Sequence, residues 1–306
     1  MNLRANAKLL LSGEYLVLAG AEALAIPLKF GQELTVSEGD TEEITWVSKG
    51  PSGIWFSASF GAMGEVNVAT NPKSARFVSN LIAATNTILP NFFQRFLGKT
   101  ITIVADFDLS WGLGSSSSLI SLIAQLANID PLVLHWKVSR GSGYDVIAAI
   151  SNTPIIYKQI DGVATFSSVK LPSVFQENVY FAYLGTKEDS AAGVERFLSA
   201  TKQLAASIAN EISAITRKMA VAESASQLCR LMDRHEAILS EVLGVMPVKQ
   251  RRFSDFEGSV KSLGAWGGDF AMFCSSVPTN QVYSYIAAKG LTPVFGFNDI
   301  SLQYEY

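Results

Sequence analysis

Asp108–Ser121 reads DLSWGLGSSSSLIS, and the fold can be read outward from this stretch. Before it, Lys99–Phe107 (KTITIVADF) sets β-branched residues at every second position, as a half-buried strand requires. After it, Ser117–Asn128 (SSLISLIAQLAN) carries Leu119, Leu122, Ile123 and Leu126 at helical spacing. The glycines and serines therefore lie where a strand turns into a helix. Gly112 and Gly114 let the backbone curl and come close to a ligand. Serine hydroxyls join N–H groups that the first turn of a helix leaves unpaired. With the positive end of the helix dipole behind them, these donors suit a phosphate chain. A plain Gly/Ser turn with a serine N-cap fits the same letters, and the turn alone does not choose between the two.

The 306 residues are 48% hydrophobic and 17% charged, which provides for one large domain or two. A net charge of −3 leaves no basic footprint for nucleic acid, though a small anionic ligand needs only a few local donors. Cys229 and Cys274 lie far apart without metal-ligand spacing, so a reducing, cytoplasmic setting is expected. The opening MNLRANAKLLLSGEYLVLAG holds a short apolar run interrupted by Glu14, which matches neither a signal peptide nor a membrane span.

Residues 7–38 read as strands (AKLLLSGEYLVL, ALAIPLKF and QELTVSE), with Gly13 and Gly20 between them and Gly31 marking a further turn. Lys8 and Glu14 are the charges in this sheet, where most charged side chains face water. ITWVSKG and IWFSASF are further strands, and Asn71–Asn91 reads as a helix ended by Pro90. Pro131–Val138 is a short helical piece. In Ser139–Ala149 (SRGSGYDVIAA), Gly141 and Gly143 flank Ser142, and Asp145 starts an apolar helical run as either a helix-initiating carboxylate or a chemical group. Strands follow at TPIIYKQ, ATFSSVKL and NVYFAYL. From Asp189 to Val245 the pattern is helical, with Glu188 and Asp189 near its start and a break near Ala220–Ser226. Val248–Leu263 suggests another helix, with Lys249–Phe253 (KQRRF) as a solvated basic face. Ser262–Phe273 (SLGAWGGDFAMF) is a second glycine cluster joining a helix end to an apolar strand, and the chain closes with a helix (QVYSYIAAK) and a strand (TPVFGF).

KLLLSGEYLVL, GLGSSSS opening a helix, GSGYD and GAWGGD follow one another along nearly the whole chain. This ordered set resembles the GHMP kinases, the superfamily of galactokinase, homoserine kinase, mevalonate kinase and phosphomevalonate kinase. Lys8–Glu14 and Gly112–Ser118 are the strongest pieces, and the mevalonate and phosphomevalonate kinase branch is the most similar. The resemblance implies an α+β architecture in two domains. Residues 1–175 would form an ATP-binding domain with the βαβ fold of a ribosomal small-subunit protein, and residues 176–306 a ferredoxin-like domain.

It also implies Mg·ATP chemistry on a small anionic substrate, in a protein of cytoplasmic isoprenoid biosynthesis that is a monomer or homodimer with no membrane partner. Gly112, Leu113, Gly114, Ser115, Ser116, Ser117 and Ser118 would cradle the phosphates, with Ser116 contacting Mg²⁺. Asp145 and Lys8 would be catalytic. Glu14, Tyr15, Ser142, Gly143, Gly264, Ala265, Trp266, Gly267, Gly268 and Asp269 would meet the substrate.

The chain departs from the family pattern in three places. Asp108 and Ser110 stand where relatives have proline and an extra glycine, and Trp266 stands where they have a small residue. The indole either lines the pocket or points away into packing. Between Ser116 and Asp145, 29 positions apart, Pro131–Val138 contains no Asp or Glu where mevalonate kinases supply a second Mg²⁺ carboxylate. A decarboxylase acting on a diphosphorylated mevalonate and a kinase-fold protein that binds without catalysis remain as alternatives. His135 and His235 are isolated and form no metal set, while Lys73, Arg76 and Arg140 are lesser candidates for an anionic group.

Overall fold

The computed structural model describes residues 2–185, 197, 206–264, 266 and 269–302. The chain folds as two compact units that interleave along the sequence. One comprises Met1–Ala7, Phe30–Leu109 and Leu113–Ile150, the other Lys8–Lys29, Ser110–Gly112 and Ser151–Tyr306. Strands β1 (Asn2–Ser12) and β2 (Ala23–Glu38) each contribute to both.

In the first unit, β3 (Ile44–Gly50), β4 (Gly53–Phe60), β5 (Val66–Ala69) and β6 (Lys99–Ala105) join the second half of β2 in the order β5-β4-β3-β6-β2. Strands β3 and β6 run parallel, with Thr45 opposite Thr100. The alternation read in β6 holds: Ile101, Ile103 and Ala105 are buried, and Val104 between them is exposed. Trp46 and Phe60 pack edge to face in the core beneath the sheet.

Helix α1 (Pro72–Ile88) starts where Asn71 Oδ1 accepts the Ser74 N–H at 3.0 Å, with proline at its first position, where no N–H is needed. Asp130 caps α3 (Pro131–Val138) in the same way through the Leu132 N–H. Between them α2 (Ser115–Ala127) buries Ile120, Leu122, Ile123 and Leu126. It is tied to α4 (Tyr144–Ile150) by the buried Ser121 Oγ donating to the Val146 carbonyl at 3.1 Å. Gly31 marks no turn, because β2 runs straight through it. A Cβ at Gly31 would collide with the Ala5 carbonyl oxygen, so the glycine permits a close approach of β1.

In the second unit, the first half of β2 pairs with β7 (Ile155–Ile160), and β7 pairs with β8 (Val163–Ser168). After α5 (Ser173–Asn178) a separate antiparallel sheet forms from β9 (Val179–Tyr183), β10 (Ser259–Ser262), β11 (Phe270–Cys274) and β12 (Val294–Gly296). Its order is β10-β11-β9-β12. Helices α6 (Ala206–Met219) and α7 (Ala225–Leu243) and the short α8 (Val248–Arg252) lie between β9 and β10 in sequence. Helix α9 (Thr279–Ala288) lies between β11 and β12. Strand, helices, two strands, helix, strand in that sheet order is the ferredoxin-like arrangement. Tyr180, Val260, Phe253, Phe273 and Ile286 form its core.

Several expectations are corrected. Leu16–Ala19 is a 3₁₀ turn, and β1 ends at Ser12, so Glu14 lies in a turn and not within the sheet. The helix expected over Val248–Leu263 stops at Arg252. Gly258, at φ 142°, leaves no room for a Cβ against the Cys274 carbonyl, and β10 follows it. The late glycine cluster therefore joins two strands rather than a helix and a strand. The expected helix start at Glu188 and Asp189 lies outside the described residues, as do Ala265, Gly267 and Gly268.

Candidate active site

Gly112 (φ 71°) and Gly114 (φ 90°) take the left-handed conformations that free α2 to begin at Ser115. The first intrahelical bond runs from the Ser118 N–H to the Gly114 carbonyl at 3.0 Å. The N–H groups ahead of Ser118 precede that ladder, and the first turn carries no acidic side chain to neutralise the dipole. The serines divide the work. Ser117 Oγ donates to the Gly114 carbonyl at 2.8 Å, and Ser118 Oγ to the same oxygen at 3.1 Å, both from buried positions. Ser116 is exposed, Ser115 is half-buried, and Leu113 packs inward. The turn thus offers backbone donors and one outward hydroxyl to an anion.

Asp145 stands in the first turn of α4, half-buried, with Oδ1 accepting the Val146 N–H at 3.1 Å. The turn before it is built by Gly143 (φ 91°) and buried Ser142, and closed by His135 Nε2 at 3.2 Å from the Gly141 carbonyl. Nothing local in the sequence marks His135 for this role, because it and its partner sit on separate elements. Lys73, Arg76 and Arg140 are exposed.

In the second unit, Lys8 is buried on β1; burial pushes the Glu14 pKa above the ordinary carboxylate value, against the pull of Lys261 and, more weakly, Lys8. The Glu14 carboxylate is buried too, with Oε1 bonded to Lys261 Nζ, so it is spent inside the protein. Tyr15 is half-buried and stacks on Phe197 at 5.5 Å between ring centroids. The late cluster brings Asp269 against the first glycine turn: a Cβ on Gly112 would lie 2.6 Å from Asp269 Cγ, and one on Gly264 2.9 Å from Asp269 Oδ2. Two left-handed glycines therefore clear space for one buried carboxylate. Trp266 is 4% exposed, and its buried Nε1 has no hydrogen-bond partner among the described residues, so the indole points into packing. Lys8 belongs to the second unit, whereas Ser116 and Asp145 belong to the first. Sequence reasoning missed His235, Glu236 and Lys261. All three are buried polar residues whose partners lie on other elements.

Solved structures share this architecture over essentially the whole chain. A mevalonate kinase from Methanococcus jannaschii superposes with a TM-score of 0.71 at 17% identity, covering 99% of this chain and 98% of that one. A Streptococcus pneumoniae phosphomevalonate kinase in complex with phosphomevalonate and AMPPNP gives a TM-score of 0.72 at 16% identity, with 96% and 99% covered. The fold is that of the GHMP kinases. A Lactococcus lactis galactokinase complexed with galactose, with a TM-score of 0.67 at 13% identity and 94% and 88% covered, extends the GHMP likeness to sugar kinases. No protein-family model and no curated protein sequence matches the chain. The GHMP likeness is therefore one of fold, and it agrees with the ordered motifs read from the sequence.

Proposed function

We propose that the protein is an ATP-dependent small-molecule kinase that transfers the γ-phosphate to a hydroxyl or phosphate of a small acid, with mevalonate or phosphomevalonate as the acceptor. The observation that carries this reading is the start of α2. Two left-handed glycines there leave first-turn N–H groups and the Ser116 hydroxyl with no acidic side chain inside the turn, and the one carboxylate packed beside it, Asp269, lies on the Gly112 side. An anion chain is the ligand that such a helix end favours.

With a hydroxyl acceptor, the O–H gives its proton to the Asp145 carboxylate as the acceptor oxygen bonds to the γ-phosphorus; a phosphate acceptor, already ionised, attacks without that transfer. The bond from that phosphorus to the β–γ bridging oxygen breaks, and ADP leaves. Lys8 supplies positive charge against the negative charge that develops, and the N–H groups of α2 hold the phosphates in place. Among the described residues no group of three or more His, Cys, Asp or Glu could hold a metal ion. An exposed Ser116 hydroxyl fits a Mg²⁺ that arrives on the nucleotide and keeps several waters. Bound there, Mg²⁺ would neutralise phosphate charge.

One observation favours a second reading, a GHMP-fold protein that binds nucleotide or acid without turnover: α3 carries no carboxylate to share the metal. A panel of mevalonate, phosphomevalonate, homoserine and sugars, assayed for ADP release, separates the two readings. The kinase reading expects turnover with at least one acceptor, and carbon dioxide released with ADP would mark a decarboxylase instead. With a hydroxyl acceptor, Asp145→Asn should lower kcat by about 10²–10⁴. Full activity in that variant would remove Asp145 from the mechanism.

A further inference from the structure

The turn after β1 and the turn after β10 each hold a bulky residue in a left-handed conformation. Tyr15 has φ 58° and ψ −44°, and the Leu16 N–H donates back to the Glu14 carbonyl, which makes a γ-turn of the rare positive-φ kind. Trp266 has φ 62°. Such conformations are strained in side chains of this size, and they persist only where the surroundings over-determine them.

One helix holds a backbone N–H beside each of the two residues. On α7, His235 Nε2 accepts the Gly13 N–H at 3.1 Å. The next residue, Glu236, accepts the Ser262 N–H at 3.1 Å through Oε1. Lys261 closes the link, since its Nζ binds both Glu14 Oε1 and, at 2.9 Å, the Ser262 carbonyl. From α6, Thr216 Oγ1 and Ser12 Oγ share a hydrogen bond of 2.7 Å at the start of the first turn. Glu14, His235, Glu236 and Lys261 are all between 0% and 2% exposed. Burying four ionisable groups costs more desolvation than an apolar set of the same volume. What the polar set adds is fixed hydrogen bonds to two backbone N–H groups.

We infer that His235 and Glu236 are positioning residues, which set the turn at residues 13–15 and the segment at residues 262–264 from consecutive places on α7. The inference rests on the kinase reading only in taking both turns to face substrate. His235 is neutral, its pKa held well below the ordinary 6.5 by burial and by Lys261. Its Nε2 accepts the Gly13 N–H and lies 3.3 Å from Glu14 Oε2, so the ring meets both the backbone and the carboxyl of the first turn. Glu236 faces Lys261 on β10, Glu14 in the first turn, and the N–H groups of Ser262 and Val248. Burial pushes its pKa up to about 8, against the pull of Lys261 and with Glu14 adding to the rise. It therefore works as a neutral acid at pH 7, accepting the Ser262 N–H without adding its own negative charge to the buried set.

Hydrogen exchange read by mass spectrometry on the unliganded full chain tests this directly. His235→Ala should raise exchange in residues 8–16 by about tenfold, and Glu236→Ala should do the same in residues 259–264, each by the loss of one hydrogen bond. His235→Gln and Glu236→Gln keep an acceptor in place and should restore most of the protection. In activity assays the alanine variants should raise the acceptor KM more than they lower kcat, and the glutamine variants should reverse this. Unchanged exchange in both segments of the alanine variants overturns the inference. If the alanine variants do not fold, His235→Phe and Glu236→Leu, which fill the space without an acceptor, decide: raised exchange confined to the two turns supports the inference, and wild-type protection of both overturns it. Exchange needs no substrate, so a failed kinase reading would show separately, as no ADP release by the wild-type chain.

Discussion

Replacing Glu236 with glutamine should stabilise the protein, although the residue is buried and hydrogen-bonded. The folded state holds the Glu236 proton up to about pH 8, whereas the unfolded chain releases it near the ordinary 4.5. Between these values the folded state binds more protons than the unfolded one, so stability falls as pH rises and levels off above about 8. At about 1.36 kcal/mol per pH unit, the loss from this group is about 3 kcal/mol at pH 7 and about 5 kcal/mol at full extent.

The glutamine side chain cannot ionise and keeps an oxygen for the Ser262 N–H. Glu236 Oε2 makes no hydrogen bond of normal length among the described residues, and the amide NH₂ would face the Val248 N–H as the carboxyl O–H it replaces already does. Glu236→Gln should therefore match wild type near pH 4.5 and exceed it by about 3 kcal/mol at pH 7. Urea unfolding at pH 5, 7 and 8.5, followed by tryptophan fluorescence, gives the difference. A variant with the same pH slope as wild type, or less stable at pH 7, would refute the reasoning, because Glu236 would then be ionised in the folded state.

His235 acts on the opposite limb. Its folded pKa lies below the ordinary 6.5, so stability is lost as pH falls below 6.5 and the unfolded imidazole gains a proton. His235→Gln should flatten that acid limb in the same urea series. Gly112→Ala sets a Cβ 2.6 Å from Asp269 Cγ at a φ of 71°. It should weaken nucleotide binding and lower stability by about 1–3 kcal/mol, and Asp269→Ala in the same chain should recover part of the stability, read by calorimetry for binding and by thermal melting for stability. Phe273→Ala, in the core of the ferredoxin-like sheet, should cost about 3–5 kcal/mol in urea unfolding.

The parts legible in the sequence were those specified by neighbouring residues. Asn71–Pro72 and Asp130–Pro131 announce helix starts because cap and proline act within one turn. The GLGSSSS turn announces a strand-to-helix junction for the same reason. What stayed hidden depends on partners distant in sequence. Lys261 lies in a four-residue strand whose side chains are all buried, so no alternation marks it, and its partner Glu14 is 247 residues away. Gly31 reads as a turn until β1 is seen against it, since close approach and a bend use the same residue. His235 sits within a long amphipathic helix and shows no sign that it faces the Gly13 N–H. The proposed roles of Asp145, Lys8 and Ser116 rest on motif order joined to local geometry.

The most direct measurement is ATP turnover by the purified chain with mevalonate and with phosphomevalonate, following ADP and the phosphorylated acceptor together. The account predicts equal amounts of both products from one of these acids, and nearly none from Asp145→Asn with a hydroxyl acceptor. Nucleotide that binds without ADP formation for any acid in the panel, or no nucleotide binding at all, would contradict it.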